Sequence, residues 1–330
     1  MSGLASKLRT YRSLMRYYRR NERFAEHDFA NVFLRIRRDL EKYGDVPLER
    51  ARLLEVGCGQ HFSATLLFHS SGADVVGIDT SVSAPKLTVR TFARMVRENG
   101  AERAAKTLVR RALFDRPYYR VLEREFNRPL RFDGLDLRTM SATDLSFPDG
   151  EFDYVFSNAV FEHIEDVDVA VREIARVLSP GGLAWIGVHL FPSMSGGHCL
   201  DWAYPEEMPS ASVPPWDHLR DNRFPSHVYL NRLREADYLA VFEQHLEVEA
   251  VIPQYEGKAF LTPEIRGQLG DYSDDDLLKR ELTLIVRRPN AKTNGAATAH
   301  ATGATGTTGT RSPAAGAAGG SRRQGVTTDC

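Results

Sequence analysis

The residues most able to do chemistry lie in a short loop after the first predicted strand. Glu55, Gly57, Cys58 and Gly59 follow the apolar run Ala51–Val56 directly. Glycines at such a turn let the backbone approach a ligand, and the helix after them offers free N–H groups to it. Glu55, two residues before the first glycine, could meet a cationic or amine-bearing ligand. Asp79 ends the next predicted strand, 22 residues after Gly57, where a carboxylate can accept hydrogen bonds from two ribose hydroxyls. The third glycine of a dinucleotide fingerprint is absent. Phe62 stands in its place, and this weakens a nicotinamide-dependent reading.

These groups need elements to hold them. Strands are predicted at Ala51–Val56, Ala73–Ile78, Phe152–Ser157 and Leu183–Val188, with two more at Val248–Ile252 and Leu282–Val286. Helices are predicted at Ser63–Ser71 and Asp166–Leu178, the latter with Val167, Val171, Ile174 and Leu178 on one face and broken by Pro180-Gly181-Gly182. Strands alternating with helices of this length predict an α/β fold with a doubly wound, mostly parallel sheet.

Four separated motifs then occur in order: Leu54-Glu-Val-Gly-Cys-Gly59, Gly77-Ile-Asp79, the run from Phe147 through Asp153 and Asn158 to Glu162-His163, and Val177-Leu-Ser-Pro-Gly-Gly182. Over residues 52–188 the sequence resembles a class I S-adenosylmethionine-dependent methyltransferase of the type 11 branch. The resemblance implies a Rossmann-like seven-stranded sheet and S-adenosyl-L-methionine as cofactor. It places Glu55, Gly57, Cys58 and Gly59 at the methionine end, Asp79 on the ribose, Ser141 and Ala142 beside the adenine, and Asn158 near the sulfonium. Ser141 stands where the family often has Asp, and His61 where its loop often has a last glycine.

The resemblance further implies methyl transfer, and a hydroxyl acceptor would need a base. His163, just after the fourth strand, and His198, in Ser195-Gly-Gly-His198, are the candidate catalytic residues, because imidazole accepts a proton near neutral pH. The expected reaction is O-methylation of a small molecule, a sugar or a glycolipid precursor. N- or C-methylation of a metabolite is the alternative, and an NAD(P)-dependent oxidoreductase a more distant one. The Cys58 side chain is expected to pack rather than to act as a nucleophile. No zinc-type His/Cys spacing occurs, so no metal site is expected, and Asp274-Asp-Asp276 reads as a solvated helix start.

Two long segments flank this core. Residues 84–133 form a predicted helical insertion rich in arginine, including Arg90, Arg94, Arg97, Arg103, Arg110 and Arg111, which could cap the site over an anionic group or simply present a solvated basic face. Residues 189–230 form a predicted substrate loop with Trp202, Tyr204, Trp216, His218 and His227, whose rings could stack on a sugar. The methyltransferase domain is expected over residues 46–289, after an N-terminal basic helical segment of residues 1–45. Residues 1–20 carry six cations and no acid, with apolar residues at helical spacing. They read either as a peripheral contact with anionic lipid or as a helix packed on the domain. Residues 290–330 read as a disordered tail, because the last forty positions hold 10 Ala, 9 Thr and 8 Gly and no Leu, Ile, Phe, Tyr or Trp to build a core.

Composition bounds the rest. The 330 residues are 42% hydrophobic and 26% charged, enough for a sizeable core. A net charge of −1 argues against broad nucleic-acid binding. Three scattered cysteines make no disulfide framework, and no apolar run approaches the ~18 residues of a membrane span, so a cytoplasmic location is expected, with a peripheral contact at the inner membrane face under the lipid reading of residues 1–20.

Overall fold

The computed structural model describes residues 21–81, 88–202, 205–206, 209–226 and 228–290. The calls on residues 1–20, on Tyr204 and His227, and on the tail beyond residue 290 lie outside them. The strands are β1 (Arg52–Val56), β2 (Asp74–Asp79), β3 (Asp136–Thr139), β4 (Phe152–Asn158), β5 (Leu178–His189), β6 (Glu247–Tyr255) and β7 (Lys279–Arg287). They form one seven-stranded sheet in the order β3-β2-β1-β4-β5-β7-β6. The pairs β1–β2, β1–β4, β2–β3 and β4–β5 are parallel, and β7 runs antiparallel to both β5 and β6. The chain therefore reverses direction across the sheet between β1 and β4, and a ligand crevice opens beyond the carboxyl ends of strands at such a reversal.

The helices are α1 (Asn21–His27), α2 (Leu34–Tyr43), α3 (Ser63–Ser71), α4 (Val89–Asn99), α5 (Ala101–Arg110), α6 (Arg116–Phe126), α7 (Val167–Val177), α8 (Glu235–Glu243), α9 (Pro263–Gln268) and α10 (Asp274–Leu278). Each face of the sheet has its own core. On one face Val171 and Ile174 of α7 and Tyr238 and Phe242 of α8 pack against Leu54, Val155 and Ile186. On the other, α1, α2, α3 and α6 bury Phe24, Ile36, Leu66 and Tyr118 against Leu53, Phe156 and Trp185. The buried indole Nε1 of Trp185 donates to Asp39 at 3.1 Å, which fixes α2 on β5. Residues 21–43 are thus built into the core.

One sequence expectation changes in detail. Pro180-Gly181-Gly182 ends α7 but does not precede the strand. β5 already pairs with β4 at Leu178, and the register shifts between Phe152 and Tyr154 opposite the glycines, where Gly181 takes φ +78°. The insertion is helical as expected, comprising α4, α5 and α6. Asp274-Asp-Asp276 opens α10, capped by Ser273, whose hydroxyl accepts from the Asp276 N–H at 3.0 Å.

Candidate active site

The glycine loop leaves β1 and bends over the end of β2. The N–H groups of Gly57 and Cys58 both donate to the Ile78 carbonyl, at 2.8 and 2.9 Å. Gly57 has φ +80°, and a Cβ there would lie 2.2 Å from Val160, so the close approach of the loop to the turn after β4 requires glycine. Gly59 has φ +64° with open space where its Cβ would point, which leaves room for a ligand. The Cys58 side chain is buried among the residues of the α3 face, as expected for a packing thiol.

Glu55 faces inward. One carboxylate oxygen accepts from both the N–H and the hydroxyl of Thr65, tying the loop to α3. Burial pushes its pKa up to about 7 against the lowering effect of those bonds. Asp79 is also engaged. Its two oxygens accept from the N–H of Gly59 at 3.0 Å and of Ser81 at 2.8 Å. Each oxygen keeps a further lone pair, so the carboxylate is held in place and can still accept from a diol.

Ser141 follows β3 beside β2, where the Met140 N–H donates to the Asp79 carbonyl at 2.9 Å. The Ser141 hydroxyl accepts from the Thr143 N–H at 3.2 Å and therefore serves a local turn. Ala142 packs on the core beside it. Asn158 ends β4, and its side-chain oxygen is buried without a hydrogen-bond donor among the described residues. An orphaned carbonyl oxygen here, open space at Gly59 and a fixed carboxylate at Asp79 together fit S-adenosylmethionine, which presents a ribose diol, an amine and a sulfonium.

The insertion covers the loop through Asp115, which the sequence had not marked. Asp115 accepts from Arg110 at 3.1 Å and from the His61 ring at 3.3 Å, and Arg111 lies 3.8 Å away. The His61 ring stacks on Tyr118 at 4.2 Å. The residue that replaces the family's last glycine is thus an anchor for the insertion. Phe62, left-handed at φ +40°, fills the α3 face. Arg94 and Arg97 pair with Glu98, and Lys106 with Glu102. Much of the basic character is therefore internally paired, and nothing in these pairings marks an anion site.

The acceptor end is built differently. His163 lies in a 3-10 turn, Phe161–His163, directly after β4. Asn231 pins that turn, donating from its side chain to the carbonyls of Phe161 at 2.7 Å and Ile164 at 3.0 Å. The Nδ1 of His163 donates to the Tyr229 carbonyl at 2.8 Å, which leaves the lone pair on Nε2. His198 packs edge-on against His163 with ring centroids 4.8 Å apart, and His189, the last residue of β5, lies 4.7 Å from His198. Burial lowers the pKa of His163 and His189 and pushes that of His198 down to about 3, so the three imidazoles are neutral. Glu162 is buried beside them. Its Oε1 lies 3.9 Å from Nε2 of His198, and burial pushes its pKa up to about 8.

The structure thus brings together the two predicted histidines and adds His189 and Glu162. No sequence spacing marked these additions, because 27 residues separate Glu162 from His189. The absence of zinc-type spacing in the sequence does not exclude a ligand set assembled by the fold. Glu162, His189 and His198 place one ligand atom each within 4.8 Å of one another, a set drawn from three segments that spacing rules cannot detect.

Trp202 and Trp216 of the 189–230 loop are not presented to a substrate. Trp202 and Trp216 are buried with Met194, Val213, Leu269 and Leu277 in a separate small core under α9 and α10. Irregular chain has few backbone pairs of its own, and large rings supply the apolar area that holds it down. His218 likewise serves structure, its Nε2 donating to the Phe191 carbonyl at 2.8 Å.

Comparison with known proteins agrees with this geometry. Residues 25–243 match the methyltransferase domain family. The chain belongs to that family. Uncharacterised methyltransferases of Mycobacterium tuberculosis and Mycobacterium bovis are 29% identical to it over 123 residues, 36% of this chain. The aligned stretch spans 59% of the length of these relatives. Among solved structures, an S-adenosylmethionine-dependent methyltransferase from Mesorhizobium loti aligns at 17% identity and a TM-score of 0.42, covering 76% of this chain and 96% of its own. The [4+2]-cyclase SpnF aligns at 17% identity and a TM-score of 0.42, covering 78% and 81%. These superpositions are loose, and the fold assignment stands on the strand order. No helix among the described residues is long and apolar enough to cross a membrane.

Proposed function

We propose that this protein transfers a methyl group from S-adenosyl-L-methionine to a hydroxyl oxygen of a small molecule, with sugars and glycolipid precursors among the acceptors. The carrying observation is the meeting of His163, His189 and His198 at the carboxyl ends of β4 and β5, beside the orphaned oxygen of Asn158. Bound cofactor supplies an electrophilic methyl carbon on a positively charged sulfur.

The chain's own residues do the rest. Asp79 holds the ribose hydroxyls, and the glycine loop lies against the methionine end. The Asn158 oxygen turns its negative dipole toward the sulfonium. His163 is oriented by the Tyr229 carbonyl and offers Nε2 to the acceptor's proton. An acceptor that attacks through oxygen must lose that proton, and a positioned base contributes ~10²–10⁴-fold to such a step. The buried surroundings exclude water that would compete for the base.

The test is incubation with 13C-methyl-labelled cofactor and a panel of hydroxyl, amine and carbon acceptors, read by NMR of the product. A labelled methyl ether supports the reading. Labelling only on nitrogen or carbon overturns the oxygen assignment. Failure to bind S-adenosylmethionine in calorimetry overturns the cofactor.

A further inference from the structure

We propose that Glu162, His189 and His198 form a binding site for a first-row divalent transition-metal ion, of the zinc, manganese or cobalt type, at the acceptor end of the cleft. The three groups come from the turn after β4, the last residue of β5 and the loop after β5. Their ligand atoms lie within 4.8 Å of one another. Ligands bound ~2.0–2.2 Å from one ion stand roughly 3–3.5 Å apart, so closure by a little over an ångström completes the set. Side-chain rotation must supply that movement, since Gly196 and Gly197 pack against the Leu190 and Phe191 backbone and the His218 ring.

Three further observations point to a cation. First, both carboxylate oxygens of Glu162 are buried and lack a hydrogen-bond donor in good geometry among the described residues. A buried carboxylate is costly unless paired or bound to a metal. Second, His189 already has the outer support typical of a ligating histidine. Its Nε2 meets the Ser195 hydroxyl at 2.7 Å, and that hydroxyl donates to Oε1 of Glu256 at 2.6 Å. Because the serine gives its only proton to Glu256, it accepts from His189, so Nε2 carries the hydrogen and Nδ1 the lone pair. Third, the local charge suits a cation. Glu162, Glu256 and Glu281 face Arg280 and Arg35, which pair with Glu256 and Glu281 respectively. Glu162 is left without an arginine or lysine partner among the described residues.

Two imidazoles with one carboxylate favour a transition metal over magnesium or calcium, which prefer all-oxygen cages. Three protein ligands leave coordination positions open. On the methyl-transfer reading, an acceptor hydroxyl would take one of them and become more acidic there, while His163, which is not in the set, takes its proton. The metal site itself does not depend on that reading.

The experiment uses the full chain, stripped with chelator and dialysed. Cobalt(II) is titrated in and read by visible ligand-field absorption, and zinc by calorimetry and by the metal-dependent rise in thermal midpoint. One ion per chain is expected, with ligand-field bands of nitrogen-bearing coordination. His198→Ala, on the loop, should abolish the bands, and Ser195→Ala should weaken affinity by ~10–100-fold through the outer support. Glu162→Gln should remove the metal-dependent rise while melting no lower than the stripped wild type, since it replaces a buried carboxylate lacking good donors. His69→Ala, on the far side of α3, should bind as wild type. No stoichiometric binding, or binding that His198→Ala and Glu162→Gln both leave unchanged while circular dichroism shows them folded, overturns the site. Metal binding with nitrogen-only methylation would keep the site and overturn the oxygen acceptor.

Discussion

The two ends of the cleft are built on different principles. At the cofactor end, Glu55, Gly57, Gly59 and Asp79 lie within 25 residues, and their mutual bonds are short-range in sequence, such as Gly59 N–H to Asp79 and Glu55 to Thr65. At the acceptor end, Glu162, His163, His189 and His198 are gathered from separate segments and supported by Tyr229, Asn231 and Glu256. A cofactor of fixed shape can be read by one strand–loop–strand unit. An acceptor pocket must be assembled from whatever follows β4 and β5, so it draws on distant chain. Changes at the first end should therefore act locally, and changes at the second should spread.

The sharpest test of that contrast is His163→Asn. It should lower kcat ~10²–10⁴-fold with the affinity for S-adenosylmethionine unchanged in calorimetry. A comparable loss of cofactor affinity would mean that the two ends are not separable.

Trp216→Ala should cost ~3–5 kcal/mol in denaturant unfolding, because a fully buried ring leaves a cavity that irregular chain only partly refills. It should also scatter the histidines, since Gly257, beside Glu256, faces that ring so closely that a Cβ there would lie 3.3 Å from it. An active variant of normal kcat would show that the small core under α9 and α10 is independent of the site.

Asp79→Ala should raise the Kd for S-adenosylmethionine by ~10–100-fold, the loss of about 1.5–3 kcal/mol for hydrogen bonds to a charged group. Its effect on kcat at saturating cofactor should be small, because the acceptor end keeps its own supports.

An effect of similar size is a pH dependence from Glu55. Burial raises its pKa from 4.5 to about 7 in the folded chain, so the folded state holds its proton more tightly than the unfolded state does. The stabilisation is therefore fully present below pH 4.5 and is lost as pH rises through about 7. It amounts to at most about 3 kcal/mol. Denaturation of wild type and Glu55→Gln at pH 5 and pH 8 checks this: the wild type should lose more stability across the interval. Equal losses would place the raised pKa elsewhere.

The strands at 52–56, 74–79 and 152–158 were legible because each is a short apolar run closed by Gly, Asp or Asn, and the cofactor loop was legible because its chemistry is contiguous. The role of His61 was not. Its partner Asp115 lies 54 residues away, and only the folding of α6 against α3 brings the ring onto Tyr118. Trp202 and Trp216 of the 189–230 loop were read as rings that could stack on a substrate. Composition alone cannot tell a ring offered to a ligand from one that pins a loop, and burial decided for the second.

The sequence by itself therefore determined the alternation of strands and helices, the glycine loop, the carboxylate at Asp79 and the candidacy of His163 and His198. Local spacing suffices where the interacting atoms are neighbours along the chain. Tertiary structure alone decided that Glu162 and His189 join those histidines, that Glu256 orients His189 through Ser195, and that the insertion's Asp115 holds the cofactor loop. These contacts span tens of residues. They exist only because a parallel sheet carries the ends of non-consecutive strands to one edge, where residues far apart in sequence stand within a few ångströms.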